Sequence, residues 1–203
     1  ANCGSGYVDP TTLNSTLAAL SSKYPSFGGV AGWEYFNSLP GGTGAPWQWA
    51  ASVSAAMNGG STGPIDIAVG KSVTGSAPCN SNETPAKAVN GSISGGTSDK
   101  FCSFASPSQL TVDLGSSFSL TGLEIDHAGA GGESASYNTK AYTVQVSTDG
   151  TTWTTVAQAT ANTAGTTTHS LSGTAARYVR LNVTTPTQTT DPATRIYELK
   201  VFG

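Results

Sequence analysis

Residues 142–156 read YTVQVSTDGTTWTTV. Val144 and Val146 alternate with Thr143, Gln145 and Ser147, the period-two pattern of a strand that buries one face. Asp149-Gly150 then interrupts the alternation. An Asp-Gly pair between two alternating runs is a strong hairpin signal, because the tight turn needs positive φ. The stretch therefore predicts two antiparallel strands joined between Val146 and Trp153.

The same pattern continues on both sides. LTVDLG (110–115), LTGLEIDH (120–127), THSLSG (168–173), RYVRLNVTT (177–185) and RIYELKVFG (195–203) are short β-rich runs separated by turn residues. Many short strands at such spacing predict a β-sandwich, so the fold is expected to be mainly β. The first 57 residues differ. Leu13, Leu17, Ala18 and Leu20 recur at helical spacing in PTTLNSTLAALSSK (10–23), with Pro10-Thr11 as a start signal. FGGVAGW (27–33) reads as a short buried strand, and the Ala-rich APWQWAASVSAAM (45–57) as a second helix. Helix, strand and helix over so short a span form a piece of an α/β layer without its own core. NGGSTGP (58–64) is a linker by composition. The expected organisation is 1–57, a linker at 58–65, and a sandwich over 66–203.

Composition narrows the function. Only 10% of the 203 residues are charged and the net charge is −3. Nine Lys and Arg scattered singly make no basic stripe, which argues against nucleic acid as a partner. No apolar run approaches the ~20 residues of a bilayer-spanning helix. Polarity comes from Ser, Thr, Asn and Gly, which suits a secreted, extracellular β protein. ANCGSGYV at the start has neither the basic flank nor the apolar run of a signal peptide. The expectation is a leader already removed or a chain cut from something longer. Cys79 and Cys102 bracket a 22-residue loop and are expected to form a disulfide, the alternative being two buried thiols. Cys3 is left over, either paired elsewhere or free.

KAVNGSISGGTSDKFC, LTVDLGSSFSLTGLEI, YTVQVSTDGTTWTTV and ARYVRLNVTT followed by RIYELKVFG resemble, in order and spacing, a discoidin domain, also called the coagulation factor 5/8 C-type domain. The resemblance covers residues 66–203. It implies an eight-stranded jelly-roll sandwich of the carbohydrate-binding module family 32 type, whose targets are galactose, N-acetylgalactosamine, fucose or N-acetylglucosamine units. The N-terminal segment resembles the tail of a glycoside hydrolase family 18 barrel. GGVAGWEYFNS matches its eighth strand, with Trp33 as floor of the catalytic subsite, and PWQWAASVSAAM matches its final helix. That family's acid lies in D-x-x-D-x-D-x-E, a pattern this chain lacks; its nearest approach is Glu124-Ile-Asp126. The resemblance thus implies a TIM-barrel remnant without hydrolytic activity, the rest of the barrel lying upstream. In the alternative the helices decorate the sandwich. In either case Trp33, Tyr35, Trp47 and Trp49 are expected to pack rather than bind.

In such a module the loops at one end carry the ligand. IDHAGAGGESASYNTK (125–140) supplies His127, Glu133, Asn138 and Lys140, polar groups able to hydrogen-bond sugar hydroxyls in fixed directions. TSDKFCS adds Asp99 and, as an aromatic plate, Phe101; Arg195 reaches the tip from the start of the last strand. Each has a plainer reading: His127 a satisfied strand-end histidine, Glu133 and Lys140 a solvated pair, Asn138 a turn residue, Phe101 core. His169 is expected on the surface. The resemblance further implies a structural calcium beneath AVNG, held by the carbonyl of Lys87, the side chain of Asn90, oxygens near Ser92 and Thr97, and Glu198. Asn90 stands where the family has Asp, removing one charge; the alternative is an Asn-Gly turn held by its own hydrogen bonds.

Two His, no G-x-S-x-G elbow, and Asp126 and His127 adjacent on one strand leave no nucleophilic triad. The expected function is lectin-like binding of glycans by a monomer: terminal fucose or galactose, or N-acetylglucosamine-containing chains such as chitobiose cores or chitin. The rivals are a fragment of an active chitinase or endo-N-acetylglucosaminidase, and a protein- or phospholipid-binding discoidin domain of adhesion type.

Overall fold

A computed structural model of the chain describes residues 10–24, 47–57 and 65–203. The chain divides into two compact units, residues 1–65 and 66–203. In the first, α1 (Pro10–Lys23) and α2 (Trp47–Met57) bury Leu17, Val53 and Ala56 between them, with Leu13, Trp49 and Met57 packed around. Trp49 is therefore a packing residue. The expected strand at 27–33, with Trp33, and the linker at 58–64 lie outside the described residues, as do Tyr35 and Cys3.

The second unit is an all-antiparallel sandwich of β1 (Ser72–Gly75), β2 (Phe101–Ser103), β3 (Ser108–His127), β4 (Ala141–Ser147), β5 (Thr154–Ala159), β6 (Thr166–Thr185) and β7 (Thr194–Phe202). The expected eight strands are seven. LTVDLG and LTGLEIDH are one strand, as are THSLSG and RYVRLNVTT. β3 and β6 pair with each other from Ser108↔Val183 to Asp126↔Thr166 and fold over as a ribbon, with register shifts between Asp113 and Phe118 and between Leu120 and Gly122. Gly115 and Gly173, at φ 86° and 76°, let the chain turn this corner in a conformation other residues resist. One half of the ribbon joins β1 on one side and β4–β5 on the other; the second half joins β7 and then β2.

Alternation along the ribbon sends Leu110, Val112, Leu120, Leu123, Ile125, Val179, Leu181 and Val183 inward, where they meet Val144, Val146, Leu199 and Val201. The hairpin forms as expected. Asp149 accepts hydrogen bonds from the amides of Thr151 and Thr152 and from Ser147 Oγ, and Gly150 takes φ 75°. Because the ribbon is folded, eight strand ends meet at one end of the sandwich: Ser103, Ser108, His127, Ala141, Ala159, Thr166, Thr185 and Thr194. The loops 104–107, 128–140, 160–165 and 186–193 therefore gather there.

Cys79 and Cys102 form the expected disulfide. Cys102 sits in β2, and Cys79 N donates to its carbonyl while its own amide donates to Glu83, so the bond ties the 79–84 loop to the edge strand. Closing a loop of this length is worth about 3 kcal/mol of unfolded-chain entropy. Replacing both cysteines with serine should lower the unfolding free energy by that order. Urea denaturation would measure it, and an unchanged midpoint would refute the loop-closure account.

Candidate functional site

Glu133 and Arg195 are brought together at the loop end. Glu133 accepts from Tyr197 Oη at 2.8 Å and pairs with Lys100 Nζ at 3.0 Å and Arg195 Nε at 3.3 Å. Lys100 is itself buried, bridging on to Glu83 at 3.1 Å and to the carbonyl of Thr97, with its ammonium over the Tyr197 ring. Arg195 is gripped by both oxygens of Asp191 and by the carbonyl of Ala193, each at 3.1 Å, and lies over the Tyr137 ring at 4.3 Å. Gly131 approaches Tyr197 so closely that a Cβ there would come 2.0 Å from the ring, which fixes the loop against β7. Counting donors, these contacts leave Arg195 one N–H and Glu133 one lone pair. Phe104, in the loop after β2, is 61% exposed at the same end. Lys140 is half-buried at the return of the loop; its backbone bonds Thr185 and Asn162, and its ammonium joins none of these ion pairs.

The other sequence candidates are placed differently. Phe101 is core, so it is no aromatic plate; β2 is covered on all three residues and turns Phe101 inward. Asn138 is buried as a staple, accepting from Gly129 N at 2.7 Å and donating to the Thr163 carbonyl at 2.9 Å. His127 is fully buried, with Nε2 3.1 Å from Thr167 Oγ1 and its ring beside Tyr142. Tyr142 Oη donates to Thr167 Oγ1 and lies 3.0 Å from Nε2 of His169, which is thus half-buried and tied inward rather than free on the surface. Asp99 faces away from the loop end. It accepts from Lys87 Nζ, Asn90 Nδ2, Ser92 Oγ and Gly95 N at 2.7–3.2 Å. Burial would raise its pKa, but these hydrogen bonds together outweigh it and the carboxyl is lowered. Glu124 and Asp126 both pair with Lys200 Nζ, at 2.6 and 2.9 Å, and neither faces the other across a cleft.

The implied calcium ligands can be tested against this geometry. Gly91 N donates to one oxygen of Glu198 at 2.8 Å, and the other oxygen is buried without a partner. Burial pushes the Glu198 carboxyl up to about 8, against the Gly91 bond, with Asp66 adding to the rise. Asn90 and Ser92, on either side of Gly91, both bond Asp99. Asp99's four acceptor positions are filled by Lys87, Asn90, Ser92 and Gly95, its charge is met by the Lys87 ammonium, and Asn90 Oδ1 accepts from Ser92 N at 2.8 Å, so the Asn-Gly turn is held by its own hydrogen bonds. The unpartnered oxygen of Glu198 is the one carboxylate oxygen of this set that fits a hard cation. The Thr97 carbonyl accepts from Lys100, and Lys87 turns its ammonium toward Asp99.

Signals for the missed residues existed. Tyr137 is the aromatic of the same quoted loop, and Phe104 is an apolar residue in the Ser-rich SFASPS between two strands.

The architecture is that of a discoidin-type sandwich. The F5/8 type C domain model matches residues 72–199, and the chain belongs to that family. Among solved structures it is similar to the family 32 carbohydrate-binding module of Streptococcus pneumoniae EndoD, with 29% identity over 68% of this chain and 99% of that one and a TM-score of 0.62. It is also similar to chitosan-binding module 2 of a Paenibacillus sp. IK-5 chitosanase/glucanase, solved with chitotriose: 26% identity over 68% of this chain and 100% of that one, TM-score 0.56. A Streptococcus pneumoniae fucose-binding module shares the fold at 18% identity over 70% and 96% of the two chains, TM-score 0.58. No curated protein matches the chain. Among the described residues no helix is long and apolar enough to cross a membrane.

Burial is the main cause that lowers the His127 pKa, to about 4; His169 adds to the fall and Asp126 opposes it. Its ordinary value in the unfolded chain is about 6.5. The unfolded state therefore binds the extra proton between these values, and the stability this ring contributes is complete above pH 6.5 and lost as pH falls toward 4. The effect is on the order of 3 kcal/mol. Thermal melts across pH 4–7 should show this acid limb, and His127→Gln should flatten it; an equal limb in the variant would sink the assignment.

Proposed function

We propose that the chain is a secreted, lectin-like module that binds glycans through the loop end and does not hydrolyse them. The observation that carries this reading is the Glu133–Arg195–Tyr137 cluster, pre-organised by Lys100, Asp191 and Tyr197, at the same end of the sandwich as the exposed ring of Phe104. A pyranose needs a donor and an acceptor fixed for its hydroxyls and an apolar surface for its C–H face. The likeness to modules described as binding chitosan and fucose supports the same class of ligand. Terminal fucose or galactose, or N-acetylglucosamine units of chitobiose cores or chitin, are the sugars proposed. The hydrolase-fragment reading draws on no pair of acids flanking a cleft among the described residues.

Glycan-array binding followed by calorimetry on the best ligand tests the site. Each charge-assisted hydrogen bond is worth roughly 1.5–3 kcal/mol, so Arg195→Ala should weaken binding by at least about tenfold. Phe104→Ala should do the same through lost stacking. Full affinity in both variants would place the site elsewhere, and sugar release from chitin oligomers or N-glycoproteins would overturn the non-catalytic part.

The same reading includes a structural calcium at the turn 90–92, held by the unpartnered oxygen of Glu198 with the side-chain oxygens of Asn90 and Ser92. A ligand at a hundredfold excess over its dissociation constant stabilises by about 2.7 kcal/mol. Calcium should raise the melting temperature and chelator reverse it, while Glu198→Gln should abolish the response. A melt indifferent to calcium in the parent chain would remove the ion from the account.

A further inference from the structure

The outward face of the β1–β3–β6–β4–β5 half plays no part in the loop-end site. Its register places Thr74, Thr111, Arg180, Gln145 and Thr155 in one row across all five strands. A second row runs Gln109, Asn182, Thr143 and Gln158. Residues alternating with these, such as Leu110, Val112, Val179 and Leu181, are core, so the rows are the solvent side of the sheet. Apart from Arg180, every side chain in the two rows is a neutral amide or hydroxyl.

Arg180 is the exception, and it is built in. Its Nε and Nη2 both donate to Gln145 Oε1, at 3.0 and 2.8 Å, and the guanidinium lies 3.9 Å from the centre of the Trp153 ring. Gln145 is held in turn by Thr155 Oγ1 at 3.4 Å. Of the three arginines, Arg177 is matched by both oxygens of Asp113 at 2.8 Å and Arg195 by Asp191 and Glu133. Arg180 has no carboxylate among the described residues, and Gln145, a neutral acceptor, leaves its charge uncompensated. Three of its five N–H groups are left over in a fixed fork, the geometry that takes a carboxylate in two parallel hydrogen bonds.

We propose that this face is a second glycan-binding surface, separate from the loop end, which takes a uronic-acid-type saccharide with its carboxylate on Arg180 and its hydroxyls along the Thr and amide rows. Charge complementarity selects the carboxylate, and the neutral rows select a polyhydroxylated neighbour over an acidic peptide, which would need an apolar pocket for its anchoring side chains. Neighbouring strands are ~4.8 Å apart, about the length of one pyranose residue, so a chain lying across the strands meets a new polar side chain with each sugar. Indole and guanidinium already stacked mean that little side-chain freedom is lost on binding.

The test titrates the full chain with oligomannuronate and with the same oligomer after reduction of its carboxyl groups, by calorimetry and by the NMR shift of the Trp153 indole N–H. The acidic oligomer should bind at least about tenfold more tightly than the reduced one and should move the indole signal. Arg180→Ala should remove that preference, Arg180→Lys should keep part of it through charge without the fork, and Arg195→Ala should leave it unchanged. Equal binding of the two oligomers, or an indole signal that stays still at saturation in the parent chain, would overturn the proposal whether or not the variants fold. Loss of all oligomannuronate binding in Arg195→Ala would move the ligand to the loop end and overturn it equally.

Discussion

The twenty-residue pairing of β3 with β6 is the constraint on which the rest of the sandwich depends. Each strand serves both halves, so the two layers are one ladder bent on itself. The bend sets which strand ends meet, and so which loops share a surface. It also fixes the phase of alternation on both sides of the corner, since a one-residue slip would send Leu110, Val112 and Leu181 to solvent. The glycines at 115 and 173 make the corner affordable, and the register shifts around it absorb the change in twist.

At the loop end, polar groups are buried in a connected set rather than singly. Lys100, nearly inaccessible, is acceptable there because two carboxylates and a carbonyl surround it. Such networks add little net stability, because desolvation offsets much of the attraction. Their effect here is geometric. Glu133 and Arg195 are held by partners on β7, at Lys100 before β2 and in the 186–193 loop, so these groups are already in place. The same logic without a counter-charge holds Arg180 on the opposite kind of surface, a flat sheet.

Much of this was legible in the sequence, for reasons that differ by residue. The helix at 10–23, the Asp-Gly hairpin and the disulfide rest on local signals, and all three are found. Gly115 and Gly173 were read as ends of strands because glycine marks a break as readily as a corner; what distinguishes them is the partner strand, sixty residues away. Phe101 opens a three-residue strand and Phe104 follows it, and so short a run shows no phase that would tell the inward ring from the outward one. His127 stands at a strand end beside a glycine-rich loop, the setting of an exposed residue. Its burial comes from Thr167 and Tyr142, which no local pattern connects to it. Asp99 was given to the wrong neighbour for the same reason, its partners lying in the turn at 90–95.

Asp66 bridges to Phe202, so the sandwich unit begins and finishes side by side, at the end away from the loops. A short connector could join them and new termini could be opened elsewhere, in the manner of a circular permutant. The arrangement also makes the unit a cassette: it can be spliced into a host chain at one point, like a bead on a clasp, with its loops facing outward and unencumbered by the tether.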